Sequence, residues 1–141
     1  MCQIAPGKRI LEVGYGVGMT SWRLAIEYDC YLVGVDLSEE MIAWSKKRAE
    51  REKATDRTEF RVANTEQLSF EDNNFDIVLS ESVTAFPEDK QKVVNEYARV
   101  VKPGGFVGMN EGTWLNYPPL QDLVKYIKNT MENAEFLTHE G

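Results

Sequence analysis

Histidine occurs once in the 141 residues and cysteine twice, and the 16 Lys and Arg are outnumbered by 23 Asp and Glu. Cys2, beside the start, and Cys30, at the mouth of an apolar run, are too few and too unpatterned for a disulfide framework or a metal site. A reduced, cytoplasmic setting is the simplest expectation. His139, the single histidine, lies so near the chain end that fraying argues against a catalytic part for it. The net charge of −7 disfavours a protein held on nucleic acid by phosphate neutralisation. No window reaches the roughly 18 uninterrupted apolar residues of a membrane span, and the N-terminus lacks the basic-then-apolar layout of a signal peptide. With 43% hydrophobic and 28% charged residues, the expectation is one soluble globular domain over residues 1–141.

Apolar runs then alternate with helical patterns. Lys8 to Val13 reads as a strand that stops at Gly14-Tyr15-Gly16-Val17-Gly18, and Thr20 to Tyr28 as a helix. Tyr31 to Asp36 is a second strand, after which Ser38 is an N-cap with Glu39 and Glu40 in the first helical turn. Thr58 to Ala63 and Phe75 to Ser80 are the third and fourth strands, separated by the turn Glu71 to Asn74. Pro87 to Val101 carries Val93, Val94, Tyr97, Val100 and Val101 at helical spacing and stops at Lys102-Pro103-Gly104-Gly105. Phe106 to Asn110 is a fifth strand and Leu120 to Met131 a last amphipathic helix. This alternation implies right-handed βαβ crossovers, a mostly parallel sheet covered on both faces, and a ligand crevice outside the carboxyl ends of the strands.

The chemistry is therefore sought in the loops after the first four strands. Gly14, Gly16 and Gly18 sit between a strand and a helix, where backbone can approach a ligand and helix N–H groups face it. Asp36, at the end of the second strand, places a carboxylate where it can accept both hydroxyl hydrogens of a ribose. Together they point to an adenosine-type ligand. A dinucleotide fingerprint reads G-x-G-x-x-G, whereas this turn reads G-x-G-x-G with Met19 in the place of the third glycine. Glu12, two residues ahead of the turn, would repel a pyrophosphate but attract the positive end of S-adenosyl-L-methionine.

Three segments carry a family resemblance. Ile10 to Gly18 resembles the first motif of class I, Rossmann-like S-adenosylmethionine-dependent methyltransferases, Val35 to Met41 their second motif, and Arg99 to Gly105 their late helix-to-turn signature. The resemblance covers nearly the whole chain in order and is nearest to the small-molecule methyltransferases of the ubiquinone and menaquinone biosynthesis type. It implies a three-layer, doubly wound α/β fold with strand order 3-2-1-4-5, without the family's last two strands and N-terminal cap. It further implies S-adenosyl-L-methionine as cofactor, S-adenosyl-L-homocysteine as product and a small-molecule acceptor. The implied cofactor contacts are Glu12, Gly14, Tyr15, Gly16, Gly18, Asp36 on ribose, Leu37 and Met41 from the second motif, and Asn64, Thr65 and Glu66 near adenine. Ser80-Glu81-Ser82-Val83 resembles the segment against the methionine end, with Glu81 and Ser82 as the implied contacts.

Several side chains leave alternatives open. The ring of Tyr15 stands either over the cofactor and site entrance or in solvent. Glu81 either orients an acceptor, takes its proton, or is a solvated loop carboxylate; Glu111 is the other candidate base. Trp22 and Trp44 are expected in the core, and Trp114, Tyr117 and Phe136 are candidate walls of an acceptor pocket. Methyl transfer from a sulfonium has an excellent leaving group, so positioning and exclusion of water suffice without a catalytic triad. The rival readings are a nicotinamide oxidoreductase and a cofactor-binding module without activity of its own. Because the sheet would end at an uncapped fifth strand, a homodimer or a longer parent chain is expected.

Overall fold

The structure is a computed structural model that describes residues 4–16, 21–114, 118–131 and 134–138. Its elements in chain order are β1 (Arg9–Val13), α1 (Ser21–Glu27), β2 (Tyr31–Asp36), α2 (Glu39–Arg51), β3 (Thr58–Val62), β4 (Phe75–Glu81), α3 (Lys90–Val100), β5 (Val101–Asn110), β6 (Thr113–Trp114), α4 (Gln121–Thr130) and β7 (Leu137–Thr138). The first five strands form one sheet in the order β3-β2-β1-β4-β5, and every pairing is parallel. β6 and β7 make a separate two-stranded parallel pair that the sequence reading did not foresee.

Side-chain alternation along the strands builds the two cores. Leu11, Val13, Val33 and Val35 point to the face covered by α3, where they meet Val93, Tyr97 and Val100. Ile10, Leu32 and Ile77 point to the other face, against Ala25 of α1 and Ile42 and Ala49 of α2. Helices thus cover both faces in three layers, as expected. α4 buries none of its residues and leaves Leu123 and Tyr126 exposed, and Phe106, Val107 and Met109 of the edge strand β5 are exposed as well.

Local chemistry explains most boundaries. The Ser38 hydroxyl accepts from Met41 N at 3.3 Å, the expected N-cap of α2. α3 starts at Lys90 and not at Pro87, because the Asp89 carboxylate accepts from Lys92 N at 2.9 Å and fixes the first turn there. Pro87 and Glu88 are left in the preceding loop. The expected stop at Lys102–Gly105 exists as a bulge inside β5: Phe75 pairs with Val101, Ile77 with Phe106, and the residues between lie outside the ladder. Trp44 departs from its expected place in the core. It is 56% exposed on α2, with the Lys47 ammonium 5.4 Å from its ring centroid.

At the amino ends of the central strands, Asp76 of β4 gathers three donors. Lys8 reaches it at 3.3 Å, Lys102 at 3.0 Å and the backbone N–H of Arg9 at 3.0 Å, which ties β1, β4 and β5 together. Burial pushes this carboxyl up, and the Arg9 N–H and the two lysines outweigh it, bringing it down to about 2 from 3.8. A lowered folded pKa contributes stability above the unfolded value, and that contribution is lost as pH falls. Asp76→Asn is therefore expected to lower the urea midpoint at pH 7 and to leave it closer to the parent's at pH 2.5; an equal loss at both pH values would reject this role.

Candidate functional site

The loops after β1, β2, β3 and β4 converge at the carboxyl edge of the sheet, around a cleft of about 570 Å³. Gly14 contributes the β1 side of the cleft, Asp36 and Leu37 the β2 side, Asn64, Thr65 and Glu66 the β3 side, and Ser82 the β4 side. Seven of the residues expected around a cofactor thus face one cavity.

Asp36 organises the β1 and β2 sides. Its Oδ2 accepts from Gly16 N at 2.8 Å and its Oδ1 from Ser38 N at 2.9 Å, so the carboxylate holds the glycine turn and the entry to α2 in one arrangement. Helix capping is left to the Ser38 hydroxyl. A carboxylate has about four acceptor sites, so two remain for hydroxyl donors in the cleft. Next to it Leu37 is 67% exposed, an apolar surface beside a polar anchor. That pairing suits a sugar with a flat ring attached.

Asn64 forms a local turn: its Oδ1 accepts from Glu66 N at 2.9 Å and its backbone carbonyl from Gln67 N at 3.1 Å. Glu66 in turn accepts from Asp89 N at 3.3 Å, linking the β3 loop to the start of α3. Thr65 is buried between them.

On β1 and β4, Glu12 and Glu81 form a second feature. Glu12 is only 8% exposed and, among the described residues, its Oε2 has no hydrogen-bond partner. Burial first, and then the neighbouring charge of Glu81, push its carboxyl up from 4.5 to about 7. A buried carboxylate without a partner is costly, and a cation is the complement that would relieve the cost. Glu12 and Glu81 do not line the cleft itself, nor do Gly16 and Met41, which stand behind the Asp36 and Ser38 contacts. Gly18 lies outside the described residues, as do Tyr117 and His139.

Tyr15 is neither over the cleft nor in solvent. It is 5% exposed, with its ring centroid 4.8 Å from that of Phe60 at an interplanar angle of 45°. The slot exists because Gly34 has no side chain: a Cβ there would approach the Tyr15 ring to 2.6 Å and that of Phe60 to 2.9 Å. Burial of a large apolar ring against Phe60 outweighs whatever contact it could make above the turn.

Val83, from the expected segment after β4, also lines the cleft, and Phe86, Pro87 and Glu88, which the sequence did not point to, complete it. The available signal was Asp89, whose strength as a cap leaves the segment before it as loop. Gly14 explains the place of Val83. With φ of +67° it is in the left-handed region, and a Cβ on it would collide with the Val83 side chain. Phe136 packs near Gly112 in the segment after β5, and Trp114 belongs to β6.

Comparison with known proteins agrees with this geometry. The methyltransferase domain family model matches residues 11–109. Phosphoethanolamine N-methyltransferase of Triticum aestivum is 30% identical over 128 residues, which is 91% of this chain and 25% of that protein. The structure of Haemonchus contortus phosphoethanolamine N-methyltransferase 2, in complex with phosphomonomethylethanolamine and S-adenosylhomocysteine, matches with a TM-score of 0.88 at 27% identity, over 96% of this chain and 31% of that one. A [4+2]-cyclase also shares the fold, with a TM-score of 0.76 and 26% identity over 78% of this chain and 40% of that one. The chain thus spans about a quarter of the first curated relative's length. With the glycine turn, the β2 carboxylate and the strand order all in place, the chain belongs to the methyltransferase domain family, of the class I S-adenosylmethionine-dependent kind.

Proposed function

We propose that this chain binds S-adenosyl-L-methionine and takes part in transfer of its methyl group to a small-molecule acceptor. The observation that carries the reading is the Asp36 carboxylate, fixed by Gly16 N and Ser38 N with acceptor capacity left toward a cleft that Leu37 makes apolar on one side. Asp36 accepts the ribose hydroxyls, Leu37 covers the adenine, and the Asn64–Glu66 turn stands at its edge. The unpaired Glu12 carboxylate faces the positive methionine end, and this is the fit of the buried orphan oxygen to that ligand.

When bound, the cofactor supplies a methyl group on a sulfonium, which is already an excellent leaving group. Alignment and exclusion of water are then the main tasks left to the protein. Glu81, at the end of β4, is the residue to orient an acceptor or take its proton. The acceptor is read as a small molecule because the relatives named above are phosphoethanolamine N-methyltransferases. A second reading, a cofactor-binding scaffold that hosts other chemistry, is favoured by the [4+2]-cyclase on the same fold. A nicotinamide dinucleotide fits less well, since Glu12 and Glu81 set negative charge beside the turn that would take its pyrophosphate.

Calorimetric titration is expected to show S-adenosyl-L-homocysteine binding that Asp36→Ala weakens at least about tenfold, the scale of a lost charged hydrogen bond. NADH binding of equal strength would reject the reading. The ligand's ammonium favours ionised Glu12, so affinity is expected to climb with pH up to about 7 and then level off. The same titration with Glu12→Gln should lose that slope; a slope unchanged in the variant would remove Glu12 from the site.

A further inference from the structure

Glu111 is the first residue after β5, and its carboxylate spans the end of β4. Oε1 accepts from Val83 N at 3.3 Å and from Thr84 N at 3.2 Å, while Oε2 accepts from Thr84 N at 3.2 Å. The Ser80 hydroxyl donates to Oε1 at 3.4 Å, and Ser80 in turn accepts from the hydroxyl of Tyr97, buried in the α3-side core, at 3.3 Å. The acceptor capacity of Glu111 is thus turned toward the loop and the core, an arrangement that suits holding backbone and not removing a proton from an acceptor.

The loop it holds is strained. Ser82 has φ of +57°, a left-handed conformation uncommon for a residue with a side chain, and its N–H donates to Asn110 O at 2.7 Å. Two consecutive N–H groups then turn toward a single carboxylate, the geometry of an anion-binding nest filled from within the chain. In this conformation the Val83 side chain occupies the space above Gly14 that a Cβ would need. Gly14 and Val83 are thus packed together and both line the cleft, so the arrangement of Ser82 to Thr84 shapes the part of its wall that they share.

We propose that Glu111 is a positioning residue: without touching the ligand, it locks Ser82–Thr84 in the strained turn that seats Val83 over Gly14 and so gives the donor cleft its shape. The inference rests on the reading of this cleft as the S-adenosyl-L-methionine site. Glu111 is itself partly exposed, so removing its side chain frees the loop and leaves the sheet packed.

The test is calorimetric titration of the whole chain and three variants with S-adenosyl-L-homocysteine, with the melting temperature and the amide exchange of Val83 and Thr84 read alongside. Glu111→Ala is expected to bind about tenfold more weakly with faster exchange at both amides, and Glu111→Gln, which keeps an acceptor oxygen, to stay within about threefold of the parent. Asp76→Asn, at the opposite end of the sheet, is the control for general loss of stability and should bind as the parent does. Parent-like binding by Glu111→Ala overturns the proposal while leaving the cofactor reading intact, and so does an equal weakening by Glu111→Ala and Asp76→Asn. Failure of the unsubstituted chain to bind overturns the cofactor reading and this inference with it.

Discussion

The Asp36 carboxylate accepts one N–H from the glycine turn after β1 and one from the start of α2, across a separation of 20 residues in the first case. The end of β2 is thereby bonded both to the turn and to the start of α2, which also meet through the Ser45 hydroxyl on Gly16 O at 3.3 Å. The position is available because Val13 and Val35 pair in register, which brings the ends of the two strands level. Charge-assisted bonds of this kind are shorter and stronger than neutral ones. Gly14 N and Tyr15 N, which both donate to Val35 O, hold the same turn from the β2 side.

The remaining walls are held by the same device, a side chain of one element bonded to the backbone of the next. Arg99 of α3 donates to the carbonyl oxygens of Leu68 and Phe70 and to the carboxylates of Glu96 and Asp72, and Glu96 accepts from Leu68 N. That network anchors the chain between the Asn64 turn and β4. The Glu96 and Asp72 carboxylates keep the Arg99 guanidinium protonated at every ordinary pH. Glu111 does for the β4 loop what Arg99 does for the β3 loop. Rigid strands set the positions, and side-chain contacts to backbone set the loops.

Electrostatics distinguishes this cleft from an anion site. Asp36, Glu66 and Glu88 line it without any Lys or Arg among the described lining residues, and Glu12 and Glu81 add negative charge close by. A glycine turn before a helix would ordinarily favour a phosphate through its N–H groups. Here the carboxylates oppose an anion and favour a cation.

Much of this was legible along the chain because it depends on neighbours in sequence. Strand alternation, the glycine turn, the acid at the end of β2 and the Ser38 cap are local patterns, and Asp36 could be placed from them, while the family resemblance placed Leu37 and Asn64 to Glu66. The competition between Pro87 and Asp89 for the start of α3 was also local, but two good signals conflicted and the side-chain bond of Asp89 prevailed. Other outcomes depend on residues far apart. Tyr15 is buried because Gly34 and Phe60 leave it a slot across β2 and β3, and Trp44 is exposed because α2 turns Ile42 and Ala49 inward instead. Val83 lines the cleft because Glu111, 28 positions later, bends its loop. The sequence by itself therefore determined the parallel α/β alternation and the acid-and-glycine signature of the ligand end, which follow from backbone preference and side-chain periodicity. Only the tertiary structure decided which aromatic rings are core and which loop closes the cleft, since those follow from contacts between strands and loops that sequence spacing does not encode.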